Sequence, residues 1–188
     1  MGPYHLRNAD RSVKLAAVLF LLVLGYSYVF AFFMVKTWAG LTPARVQATY
    51  VPAPAMSDSM MPMESHATMQ ALDLSAMPKM QHTVDTQLLV QDSHIHIMIY
   101  AIVAALETLV VLGLGWRPAI RDAVILGAFG FGALDFAGQW LMKAGIGGFA
   151  WLTILSGWGM ALTYVIILVR TLTEVLRGRA GSSPEVTS

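Results

Sequence analysis

Methionine and histidine crowd one stretch of the chain. Seven of the 12 methionines lie between positions 37 and 93: Met56, Met60, Met61, Met63, Met69, Met77 and Met80, with His66 and His82 among them. The spacings Met60-Met61-x-Met63, His66-x-x-Met69 and Met77-x-x-Met80-x-His82 offer thioether sulfur and imidazole nitrogen at short intervals. Thioethers are soft ligands that favour Cu(I), and imidazole accepts copper in either oxidation state. Copper contact is therefore the expected chemistry. The competing expectation is a flexible tether, or methionines that pack on a partner.

A second set of polar residues sits in apolar surroundings, where ionisable groups are costly and mark function by default. His96, Tyr100 and Glu107 share one helical face by their spacing. His94 and Met98 fall on nearly the opposite face. A regular helix therefore cannot aim both histidines at one metal, whereas a frayed first turn at His94 would allow it. Further on, Asp135, Gln139 and Lys143 align at i, i+4 and i+8. Three chemistries fit these residues. His94 or His96 could hold a metal or a b-type haem, with Asp135 behind it. Glu107, Tyr100 and Asp135 could be steps of a proton path. All of them could be a hydrogen-bond network that fixes helix packing, with His96 near Asp135 or Gln139.

The elements that must position these groups follow from hydropathy. The chain has 188 residues, 56% of them hydrophobic and only 12% charged, with a mean hydropathy of +0.62. Soluble domains carry about 25% charge, so the solvent is a bilayer. A membrane helix needs about 20 apolar residues, and four stretches supply them: 13–36, 94–116, 122–142 and 149–176. Residues 1–12 and 177–188 are tails, and 37–93 is the Met/His-rich segment. The links between the last three spans are short, with Pro118 as a breaker, so neighbours run antiparallel. The expected fold is an all-α bundle of four transmembrane helices. Gly127, Gly130, Gly132 and Gly138, with Thr153, Gly157 and Ala161, are the expected points of close helix approach.

Lys and Arg set the orientation. Arg7, Arg11, Lys14, Arg117, Arg121, Arg170, Arg177 and Arg179 fall on one side, against Lys36, Arg45, Lys79 and Lys143 on the other. Both termini are expected in the cytoplasm and 37–93 in the periplasm. The first span exceeds a signal-peptide core and reads as a retained anchor. A net charge of +1 gives no basic surface for nucleic acid. The absence of cysteine excludes disulfides, thiolate metal sites and c-type haem. No phosphate loop, G-x-S-x-G elbow or H-E-x-x-H is present. Catalysis by this chain alone is not expected.

The motifs resemble those of an uncharacterised family of small bacterial inner-membrane proteins with four spans. The matching pieces are Gly40-Leu41-Thr42-Pro43 with Val46 and Tyr50, then Ser93-His94-Ile95-His96, then Asp135 with Gln139-Trp140. Phe149-Ala150-Trp151-Leu152, Ser156-Gly157 and Met160-Ala161 complete the set. The family usually has Thr where this chain has Ser93, and the Met-rich run looks like an addition. The resemblance implies the architecture and draws attention to His94, His96 and Asp135, without assigning a reaction. The expected function is copper handling, or less favourably haem b binding, at the periplasmic face. The chain would be an accessory subunit of a larger membrane complex or a homo-oligomer. The alternatives are a purely structural subunit or assembly factor, and a small oligomeric transporter.

Overall fold

Four helices long and apolar enough to cross a bilayer build the molecule, and no strand occurs among the described residues. The computed structural model describes residues 5–51 and 84–180. A 3-10 turn at Leu6–Asn8 precedes α1 (Arg11–Trp38). Then come α2 (Pro43–Tyr50), α3 (Thr86–Leu112), α4 (Pro118–Lys143) and α5 (Ala150–Ala180). The spanning helices alternate in direction, so α2 and the α4–α5 link share one end of the bundle. The 3-10 turn and the α3–α4 link share the other.

The helices run longer than hydropathy predicts. α3 begins at Thr86, well before the apolar run at His94, because Asp85 caps it by accepting the Leu88 N–H at 2.6 Å. Gln87, Gln91, Asp92 and Ser93 are compatible with helix but not with lipid, so an apolar window misses them. His94 therefore lies in regular helix, and the frayed turn that would let both histidines reach one metal does not form. Pro118 opens α4 at its first turn, where its missing N–H costs nothing. The short α2 is a further departure, since 37–93 gave no apolar signal. Pro43 at its first turn, after extended Thr42, starts it.

The tightest seam joins α4 to α5. A Cβ on Gly138 would lie 2.5 Å from Thr153 Oγ1, and one on Gly159 would lie 2.5 Å from the Phe131 ring. A Cβ on Gly127 would lie 2.9 Å from Thr163 Oγ1. The buried stripe of α5 is Ser156, Met160, Thr163, Ile167 and Thr171. Gly157, expected at a close approach, faces open space, because it lies off that stripe by helical phase. Gly130 likewise meets nothing within 4 Å. Gly145 and Gly148 take φ of 81° and 90° and let the chain reverse between α4 and α5.

Helix α1 is peripheral. Only 6% of its most apolar window is buried, against 28% for α4 and α5. It docks by Leu21, which packs with Val111, Tyr164 and Ile167. The Tyr164 hydroxyl donates to the Leu21 carbonyl at 2.8 Å. Gly25 makes room for it, since a Cβ there would collide with Tyr164 Oη. Below this point Leu6, Ala17 and Leu114 form a second cluster, and the Leu6 N–H donates to the Gly113 carbonyl at 2.6 Å.

Gly25→Ala should therefore displace the tyrosine and cost about 1–3 kcal/mol by overpacking. Tyr164→Phe should cost only about 0.6 kcal/mol, the usual worth of a bond inside a membrane protein. Thermal unfolding in detergent reads both. Equal costs for the two variants would show that the Gly25 contact is not tight.

Candidate functional site

Polar residues gather where α2, α3 and α4 meet. The buried face of α3 carries Leu89, Ser93, Ala104, Glu107 and Val111, with His96 and Tyr100 half-buried on the same stripe. This is the face that the sequence spacing assigned to His96, Tyr100 and Glu107. His94 is exposed on another face, as is Met98. The two histidines do not converge.

Two contacts fix the register of α3 on α4. Trp140 Nε1 donates to Ser93 Oγ at 2.9 Å. Tyr100 packs on Phe136, ring centroids 5.8 Å apart, and lies against Gly132, whose Cβ would come within 3.6 Å of it. Asp135 is therefore about level with Tyr100, and Glu107 with Gly127. Lys143 Nζ donates to the Val84 carbonyl, while the Val84 N–H donates to the Thr49 carbonyl at 2.8 Å. Val46, Met142 and Ala150 pack beneath that junction.

His96 and Asp135 each find a partner on their own helix. His96 Nδ1 lies 3.0 Å from Asp92 Oδ1 and 3.0 Å from the Asp92 carbonyl oxygen. Gln139 Nε2 donates to Asp135 Oδ2 at 3.0 Å. The expected link between His96 and Asp135 or Gln139 is thus replaced by two i, i+4 pairs, because each acid already has a donor one turn away. Gln139 Oε1 and Glu107 Oε1 are buried without a hydrogen-bond partner among the described residues. Glu107 also lies within electrostatic range of Tyr28 and Tyr164.

Among the described residues no three His, Asp or Glu side chains come together as a metal site. The soft donors Met60, Met61, Met63, His66, Met69, Met77, Met80 and His82 lie outside the described residues. The two histidines of α3 do not offer a bis-imidazole haem site. His94 and His96 lie on different faces of α3 and do not form an axial pair, and His96 Nδ1 is held by Asp92, which leaves Nε2 as the free ring nitrogen. A cleft of about 330 Å³ lies at the opposite end, lined by His5, Arg7, Asn8, Gly113, Gly115 and Glu174. Arg170 stands beside it, paired with Glu174 at 2.8 Å. Sequence reasoning did not find this corner, since its residues are far apart in the chain.

Tyr50, missed as a site residue except through the family resemblance, caps the polar cluster from α2. Burial raises its pKa above the ordinary phenol value, and the nearby carboxylates of Asp135 and Asp92 raise it further. A raised folded-state pKa means stability present below about pH 10, the unfolded value, and lost as pH rises beyond it. Tyr50→Phe should flatten the alkaline fall in thermal stability. A wild-type profile that the variant reproduces unchanged above pH ~10 would remove Tyr50 from the account.

A family model described as a transmembrane helical domain matches residues 40–182, which takes in α2 through the spanning length of α5. No curated protein and no solved structure matches the chain. The match covers about three-quarters of the sequence, so the chain belongs to the Aq_1264_TM family of transmembrane helical domains.

Proposed function

We propose that this integral membrane protein is a metal-handling accessory subunit that carries Cu(I) on its Met/His segment at the periplasmic face. One observation supports the reading above others. The bonds from Val84 to Thr49 and from Lys143 to Val84 bring the two ends of the 52–83 stretch side by side on the bundle. Every Met and His of the candidate copper set except His94 and His96 belongs to that stretch. The two residues that flank this run of soft ligands are thus held at the end where Tyr50, Asp92 and His96 lie. Thioethers suit Cu(I) there, and no thiol is present to be lost to a disulfide.

The orientation is part of the proposal. The termini end carries Arg7, Arg11, Lys14, Arg117, Arg121 and Arg170, which supports its placement in the cytoplasm of a bacterial inner membrane. A structural subunit or assembly factor is the second reading. It draws on the Trp140–Ser93 and Tyr164–Leu21 bonds, which serve packing without any cofactor.

Two experiments test the proposal. Competition against a Cu(I) chelator should show binding by the detergent-purified protein, in preference to Zn(II). Leucine at Met60, Met61, Met63, Met77 and Met80 keeps bulk, removes sulfur and should abolish that binding. Unchanged Cu(I) affinity in this variant would overturn the copper reading. Reporter fusions at Gly181 and Asp73 should be active inside and outside, respectively, and an externally active reporter at Gly181 would reverse the orientation.

A further inference from the structure

Glu107 is 3% exposed and lies about 9 Å, six residues of α4, inside the level of Arg121. Its surroundings come from every spanning helix. Tyr28 stands on α1, Tyr100 and Thr108 on its own helix, Gly127 on α4, and Thr163 with Tyr164 on α5. None is a cation, and among the described residues no Lys, Arg or His forms an ion pair with it. Thr108 is spent on the Ala104 carbonyl, Thr163 on the Gly159 carbonyl and Tyr164 on the Leu21 carbonyl. Among the described residues Glu107 Oε1 is left without a hydrogen-bond partner.

A carboxylate in lipid with neither counter-charge nor donor is strongly disfavoured, so the site accommodates the neutral acid. On the same face of α3, two turns toward the α2 end, lies Tyr100, and Asp135 is level with it. One and two turns further, His96 and Asp92 are half-exposed. Ionisable groups thus step from the α2 end of the bundle to a buried carboxyl.

We propose that Glu107 is a proton-binding site filled from the α2 end by way of Asp135 and Tyr100. In the loading step the Asp135 carboxyl gives up its proton. The Tyr100 hydroxyl accepts that proton and releases its own, and water carries it over the roughly 10 Å of two helical turns to Glu107. An O–H bond forms on Glu107, and Asp135 regains a proton from water at the α2 end. No electron moves and no other reactant is consumed.

The test uses the full chain in liposomes. Dicyclohexylcarbodiimide attacks protonated carboxyls in apolar surroundings, and peptide mass spectrometry should find its adduct on Glu107 of the wild type at neutral pH. An unlabelled Glu107, with adducts elsewhere, would overturn the proposal without recourse to any variant. Infrared difference spectra should show a protonated-carboxyl C=O band that is lost in Glu107→Gln, an isosteric change. Asp135→Asn and Tyr100→Phe should keep that band but slow its shift in D₂O several-fold. Exchange at the wild-type rate in both would remove the path from the α2 end.

Discussion

Lipid gives helices no hydrophobic reward for meeting, because its tails are as apolar as leucine. Association must then come from close packing and from polar groups with nowhere else to bond. The α4–α5 seam meets this constraint most fully. Gly138 admits Thr153, Gly159 admits the Phe131 ring, and Gly127 admits Thr163. Each pairing sets a small residue on one helix against a larger one on the other, so two backbones approach over most of their length. The α4–α5 pair is the platform on which α3 and α2 are laid.

Attachment of the remaining elements is uneven, for a physical reason. α3 joins α4 by the indole–hydroxyl bond of Trp140 to Ser93 and by Tyr100 lying over Gly132 and Phe136. α1 is joined to the bundle by the Tyr164 hydroxyl on the Leu21 carbonyl, which the small Gly25 leaves accessible. Its aromatic residues beyond that point, such as Tyr26, Phe30 and Phe33, stay exposed. The family match begins at Gly40, just past α1, and the packing draws its division at the same place.

The α2 helix gives the bundle its closed end. Its buried Val46 and Thr49 sit over Met142 and Ala150, and its last turn accepts the Val84 N–H. Lys143, an interfacial cation by sequence, caps the same junction through the Val84 carbonyl. Tyr50, Asp92, His96, Tyr100, Asp135 and Gln139 are gathered beneath by this arrangement, although they come from three helices. Asp92 with His96 and Asp135 with Gln139 pair along their own helices, and among the described residues Glu107 Oε1, in the deeper layer, has no hydrogen-bond partner.

The sequence by itself determined the four spans, since an apolar run of this length has no other stable setting than a membrane. It also determined the common face of His96, Tyr100 and Glu107 and the separation of His94 from them, because helical phase is a local property. It could not determine which acid His96 meets. Asp92 and Asp135 are both within reach by depth, and only the register of α3 on α4 and the rotamers it permits decide between them. Nor could it separate Gly138 and Gly159, which admit a neighbour, from Gly130 and Gly157, which face open space. A glycine carries no side chain to announce its orientation, so the packing of the other helix alone assigns its role. α2 and the first turns of α3 were invisible to hydropathy for a similar reason. Their stability comes from a proline at the first turn, an Asp85 cap and contacts distant in sequence rather than from apolar length.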